Sequence, residues 1–175
     1  MYIFTDGSCQ NNGKKNPRGG YAIFCPETNF EYAKNYTLEF ENLVSIFPGI
    51  NNEPTNNKTE LLAILAALAY INQINSETKE FIICSDSNYS INCVTTWYKN
   101  WIKKGWVNSK NEPVKNKEII KRIIEKKEIL ESKGVSIVFV HVNSHQKEPS
   151  DKNSLKYFLW HGNDKVDKLA TQTLV

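Results

Sequence analysis

Four carboxylates set the chemistry open to this chain. Asp6 follows the apolar run Tyr2-Ile3-Phe4, and Asp86 follows Phe81-Ile82-Ile83-Cys84 after a single serine. Glu60 lies near the start of an apolar helical pattern, and Asp167 lies in the last periodic segment. A carboxylate at the end of a hydrophobic strand is costly unless positive charge meets it there. Gathered at one edge of a sheet, such groups repel: a pair about 4 Å apart costs roughly 4 kcal/mol at an effective dielectric near 20. Divalent cations relieve that repulsion, and hard oxygen donors suit magnesium or manganese. The set therefore points to phosphodiester chemistry at a two-metal site. Taken singly, each residue has a blander reading. Asp6 and Asp86 read as turn residues, Glu60 as an acid near a helix N-terminus, and Asp167 as a solvent-facing acid. Only the four together carry the metal reading.

The elements that would position them can be read from the pattern. Residues 1–5 and 19–25 read as strands around a turn rich in Asn, Gly and Lys, and residues 30–38 as a third strand. Asp6 is expected at the end of the first strand. Residues 39–54, broken by Pro48, Gly49 and Pro54, read as a long loop. Leu61, Leu65, Leu68 and Ile71 recur at helical spacing and predict a helix over about 57–74, with Asn56 or Asn57 able to cap it. Residues 81–84 form a short continuous apolar run, the pattern of a strand covered on both faces. Helices follow at 87–104 and about 116–133, then a strand at 135–142, a polar loop to about 160, and a final short helix at 163–173. This is a mixed α/β (α+β) domain, with two aspartates leaving neighbouring strands where such sheets bind ligands.

Size and composition bound the rest. The 175 residues make one ordinary domain. No apolar run is long enough for a transmembrane helix, and the N-terminal residues lack a signal-peptide pattern. Cys9, Cys25, Cys84 and Cys93 are scattered without a C-x-x-C pair, which reads as reduced thiols in an intracellular protein and not as a zinc site. Net charge is only +3, but residues 99–133 hold eleven Lys or Arg against five Glu. A basic arm on a neutral or acidic body suits a polyanionic partner. A solvated helix pairing its own lysines and glutamates would also account for it.

Four motifs occur in order: Thr5-Asp6-Gly7-Ser8-Cys9, Thr55-Asn56-Asn57-x-x-Glu60-Leu61-x-Ala63, Ser85-Asp86-Ser87-x-Tyr89 and Gly162-Asn163-x-x-x-Asp167-x-Leu169-Ala170. Together they resemble the ribonuclease H family, type 1, over essentially the whole chain. The stretch from Thr96 through Trp97, Trp101 and Trp106 to Asn116 resembles that family's basic protrusion. The resemblance implies a ribonuclease H-like fold. That fold has a five-stranded mixed sheet flanked by helices, with a basic helical protrusion at about 95–117 inside one catalytic domain spanning 1–175. It implies an endonuclease that cuts the RNA strand of an RNA–DNA hybrid and leaves 5′-phosphate and 3′-hydroxyl ends. Asp6, Glu60, Asp86 and Asp167 would hold two Mg2+ ions, with Mn2+ able to substitute and Asp6 bridging.

Further roles follow from the same resemblance. His145 occupies the mobile-loop histidine position, and imidazole is the side chain that titrates nearest neutrality; His141 and His161 are left as structural. Asn56 and Asn88 match residues that read the minor groove, where 2′-hydroxyls tell RNA from DNA. Trp97 and Trp101 would lie over the sugars of the DNA strand. Thr55 and Asn116 match parts of a DNA-phosphate pocket, and Lys103 with Lys99, Lys104 and Lys115 would attract phosphates in a salt-dependent way. From the longer first turn, Asn11 or Asn12 would touch substrate, with Asn12 put forward. Glu53 stands where the family often has an arginine, and the Gln146–Trp160 loop is long. The expected partner is an RNA–DNA hybrid duplex, with no membrane and no obligatory protein partner. The chain is expected to be a monomer inside the cell, in the cytoplasm or an organellar or viral-replication compartment. A non-cleaving binder, a domain of a reverse transcriptase and a transposase-like nuclease are the alternatives. The complete acid set, Met1 just before the first strand and the tryptophan arm weigh against them in turn.

Overall fold

The computed structural model describes residues 1–174. Five strands form one mixed sheet in the order β3-β2-β1-β4-β5. They are β1 (Tyr2–Gln10), β2 (Arg18–Cys25), β3 (Phe30–Asn35), β4 (Glu80–Ser85) and β5 (Ser136–His141). The first three make an antiparallel meander, because the connections between them are short. β4 and β5 join in parallel, each after a helical crossover. The expected five-stranded mixed sheet is therefore present.

Helices cover both faces. They are α1 (Phe40–Ile46), α2 (Asn56–Gln73), α3 (Asn88–Asn92), α4 (Tyr98–Lys103), α5 (Lys117–Ser132) and α6 (Leu155–Gln172). Alternation along the strands decides what each face receives. Ile3, Ile23 and Ile83 point into the larger core with Leu61, Ile64 and Leu68 of α2 and Ile120 and Ile123 of α5. Their neighbours Phe4, Ala22, Phe24 and Cys84 point the other way, onto Val166 and Ala170 of α6. None of these helices is long and apolar enough to cross a membrane.

Four expectations need correction. β1 runs to Gln10, so Asp6 is inside the strand and not at its end; the pairing with β2 continues through Gln10↔Arg18. The parallel ladder to β4 does stop at Thr5↔Ser85, so Asp6 and Asp86 are the first residues beyond it. The expected 39–54 loop contains α1, whose Leu43 is buried. The 87–104 helix is interrupted by a π-helical stretch, Cys93–Trp97, between α3 and α4. Finally, α6 starts at Leu155, not near 163: Ser154 caps it by accepting from the Tyr157 amide at 3.1 Å.

Two glycines let the helices approach the central strand. A Cβ on Gly7 would fall 2.2 Å from the Glu60 nitrogen, so α2 rests directly on β1 there. A Cβ on Gly162 would fall 2.2 Å from the Phe4 ring, which sets α6 against the opposite face of the same strand. Gly7 adjoins Asp6 in sequence, and Gly162 stands on the helix that carries Asp167.

Candidate active site

Asp6, Glu60 and Asp86 come together from β1, α2 and the end of β4. One carboxylate oxygen from each lies within 4.8 Å of the others. Asp6 and Glu60 are 4% and 8% exposed, which is unusual for acids and demands a compensating charge. Burial, then the charges of Asp86 and Asp167, push the Asp6 carboxyl up from 3.8 to about 8. Burial and the charge of Asp6 hold Glu60 well above the usual carboxylate range. Asp86 is raised by burial and by Asp167, and drawn back by His145 and His141. The Gly7 amide helps both Asp6 and Glu60 ionise.

Asp167 approaches from α6 but lies outside that group of three. It shares a small cavity with Asp86, His145, Asn163 and Trp160, and its charge acts on the other three acids. Asp6 Oδ2 and Glu60 Oε2 are buried with no hydrogen-bond donor. A buried oxygen left without a partner costs about 1–3 kcal/mol, more when charged. Hard oxygens, crowded and unpartnered, fit a divalent cation. His145 lies exposed on the loop after β5 and faces the same small cavity.

A larger cavity, of about 740 Å³, opens on the same side of α2 as its N-terminus. Asn12, Thr55, Asn56 and Asn116 line it, with Lys58 and Lys115. The first turns of α2 and α5 meet there, presenting amide hydrogens and a positive dipole end. Thr55 caps α2, accepting from the Lys58 amide at 3.2 Å, and Asn12 Oδ1 accepts from the Asn56 amide at 3.1 Å. Of Asn11 and Asn12, it is Asn12 that lines the cavity.

The ribonuclease H family profile, RNase H, matches residues 1–175. This chain belongs to the ribonuclease H family. A ribonuclease H of Geotalea uraniireducens is 31% identical over 150 residues, covering 86% of this chain and 85% of that one. A ribonuclease H of Clostridium botulinum is 31% identical over 175 residues, covering 99% and 95%. In fold, the chain is similar to the foamy viral protease–reverse transcriptase solved in complex with RNA/DNA hybrid. There the TM-score is 0.68 at 23% identity, covering 98% of this chain and 19% of that one.

In this ribonuclease H the segment expected to form the protrusion carries an aromatic ladder. Tyr89 and Trp97, Trp97 and Trp101, and Trp101 and Trp106 each lie with ring centroids 6.0 Å apart. Lys121 of α5 sits over the Trp106 ring at 5.2 Å. The Asn116 amide donates to the Tyr89 hydroxyl at 3.3 Å and so links the ladder to the cavity. Lys103 is exposed at the end of α4. Asn88 is exposed at the start of α3 and is not among the residues lining either cavity. Glu53 does not line the large cavity either. Its carbonyl accepts from the Lys58 ammonium at 2.6 Å, and Asn51 Oδ1 accepts from the same ammonium.

Asn163 and His141 are given no role at the site by the sequence alone, while Trp160, with Tyr157 and Phe158, is expected from it to tie the end of the long loop to the body. Asn163 is 7% exposed, with Oδ1 buried and unpartnered in the small cavity; its place one helical turn before Asp167 is the available signal. His141, structural by the sequence reading, has Nε2 3.1 Å from the Asp86 carbonyl oxygen and so touches an acid-bearing segment. Trp160 joins α6 to the histidine loop, donating from Nε1 to the Gln146 carbonyl at 2.9 Å. No periodicity in the sequence signals that hydrogen bond.

Proposed function

We propose that this chain is an endonuclease that hydrolyses the RNA strand of an RNA–DNA hybrid with two divalent cations, magnesium foremost. It leaves 5′-phosphate and 3′-hydroxyl ends. The observation that carries the reading is the meeting of Asp6, Glu60 and Asp86 from three separate elements, two with buried, unpartnered oxygens, while Asp167 of a fourth faces the cavity it shares with Asp86. Bound cations would supply a water acidic enough to attack near neutral pH and a counter-charge for the departing 3′-oxygen.

The chain's own residues do the rest. Asp6, Glu60, Asp86 and Asp167 would hold the cations, with Asp6 the most central of the four because it sits on the middle strand of the sheet. Their mutual repulsion in the metal-free state favours cation binding, since a doubly charged ligand relieves it. His145 gives or takes a proton at the leaving oxygen and helps product depart. Thr55 and Asn116 seat a phosphate of the DNA strand at the paired helix N-termini. Asn12, Asn56 and Asn88 read the minor groove, Trp97 and Trp101 pack on DNA sugars, and Lys103 adds nonspecific attraction. A solved protein of similar fold was captured with an RNA/DNA hybrid and also with double-stranded DNA, so the preference for the hybrid rests on membership of the ribonuclease H family. We read residues 1–175 as one catalytic domain that acts as a monomer.

The test compares a labelled RNA–DNA hybrid, duplex RNA, duplex DNA and single-stranded RNA, each with magnesium and with chelator. Only the hybrid is cut, only with metal, and only in its RNA strand. An intact hybrid after incubation with magnesium would sink the reading and leave a non-cleaving binder. Cleavage that survives chelation would remove the metal from it.

A further inference from the structure

Trp160, Asn163, Asp164 and Asp167 recur on one face of α6, and all four line the small cavity with Asp86 and His145. The Trp160 indole donates to the Gln146 carbonyl at 2.9 Å. Gln146 Nε2 in turn donates to the Ser144 carbonyl at 3.2 Å. The turn carrying His145 is therefore closed across its own backbone and then pinned to a helix. His145 has φ of 52°, a left-handed conformation uncommon outside glycine, though better tolerated by histidine than by most residues. The anchor is itself braced: the Trp160 ring lies 5.6 Å from that of Tyr157, which stacks on His161 at 5.9 Å. Gln146, Lys147 and Glu148 are exposed, so nothing in the core holds this stretch in place.

We propose that Trp160 is a positioning residue. Its indole fixes the histidine loop so that the His145 imidazole stays at the cavity shared with Asp86 and Asp167. Without the tether, His145 spends part of its time away from that cavity. The inference rests on the role proposed above for His145. It assigns no base-stacking duty to Trp160, because the indole hydrogen is already committed within the chain and the ring is half-buried against Tyr157.

Trp160→Phe keeps the ring and removes the donor. The hybrid-cleavage kcat of Trp160→Phe should fall about 3- to 10-fold, the weight of one hydrogen bond, with KM within about twofold of wild type. In a His145→Ala background the same change should cost nothing further, since the two residues act as one unit. A second readout needs no activity: the backbone order parameters of residues 144–147 should fall in Trp160→Phe while those of α6 stay unchanged. Unchanged order parameters, an unchanged kcat, a change carried by KM, or full additivity with His145→Ala would each overturn the proposal. Should Trp160→Phe fail to fold, hydrogen exchange of the Trp160 indole Nε1–H in the wild-type protein takes its place: exchange as fast as that of a free indole would overturn the tether. A wild-type protein that cuts no hybrid, yet whose loop loosens as described, sinks the proposed activity and leaves the tether standing.

Discussion

On α2 the acidic cluster and the large cavity are only about five residues apart, roughly 7 Å along the helix, yet they are built in opposite ways. The cluster is set by core packing. Asp6 and Glu60 are buried, Gly7 lets α2 touch β1, and Gly162 seats α6 on Phe4. The cavity is set by loops and helix ends. Asn12, Asn56 and Lys115 are exposed, and Thr55 and Asn116 sit at caps. A buried cluster has few arrangements open to it and responds to change in an all-or-none way. An exposed, polar, wet surface loses affinity by degrees. On the roles proposed above, chemistry and grip are thus separable, and substitutions should sort accordingly.

The sharpest break is Asp6→Asn or Asp86→Asn. Either should lower magnesium-dependent kcat by at least about 10³-fold, in line with the loss of a central electrostatic group, while hybrid binding persists. Asp6→Asn also has the opposite effect on stability. The folded metal-free chain holds a proton on Asp6 up to about pH 8, whereas the unfolded chain releases it near 3.8. A folded-state pKa above the unfolded one gives stability that is complete below the lower value and lost as pH rises toward the higher. Metal-free protein should therefore melt at progressively lower temperature from about pH 4 to 8, and added magnesium should restore it. Asp6→Asn removes the share of that slope owed to Asp6, leaving what buried Glu60 and Asp86 contribute, and should stabilise the metal-free form at pH 8 by about 1–2 kcal/mol. A flat melting profile in the metal-free wild type would mean the acids are not crowded.

Gly7→Ala attacks the packing beneath the same cluster. Its Cβ meets the backbone of Thr59 and Glu60, which cannot turn aside as a side chain would. A misplacement of about 1 Å near a reacting centre can cost around 100-fold in rate. We expect kcat to fall by about that factor and stability by about 1–3 kcal/mol, read by cleavage and thermal melting. Wild-type turnover would show that Glu60 tolerates displacement.

What the sequence makes legible follows the same division. The run Phe81–Cys84 and the helical spacing of Leu61, Leu65, Leu68 and Ile71 announce the strand and helix that place Asp86 and Glu60. Strong periodicity survives folding because burial enforces it. The extent of β1 is not legible, since the ladder to β2 that carries it past Asp6 is a nonlocal pairing. Pro48, Gly49 and Pro54 hide α1, although Phe40, Leu43 and Phe47 recur at helical spacing. The N-terminal half of α6 reads as loop because Tyr157-Phe158-Leu159-Trp160 form one consecutive run without helical spacing, yet the Ser154 cap is there to be seen. The wall that Ile50 and Asn51 give the large cavity depends on where α1 leads the chain, and no local pattern encodes that.

His145→Ala lies between the two regimes, since the role proposed for the residue is chemical while its loop is exposed. Its loss should slow turnover by about 10- to 100-fold without weakening hybrid binding, the usual range for acid–base assistance. An unchanged rate would return it to the surface.

The smallest effects belong to the basic flank, and there the salt dependence is more telling than the rate. Lys103 is exposed on α4, with solvent on its ammonium, so its removal strands no buried partner. Lys103→Ala should leave kcat near wild type and raise KM about two- to fivefold at low salt. For every phosphate the protein no longer neutralises, the slope of log affinity against log salt should also shrink by slightly less than one. Asn116→Ala differs in kind, because it removes a neutral amide that donates to Tyr89 and lines the cavity. It should raise KM to a similar degree yet leave the salt slope alone, because no counterion-releasing charge has gone. Binding titrations of the two variants across salt concentrations separate these outcomes. If both flatten the slope equally, the flank and the cavity are one electrostatic surface, and the division between grip by charge and grip by shape fails.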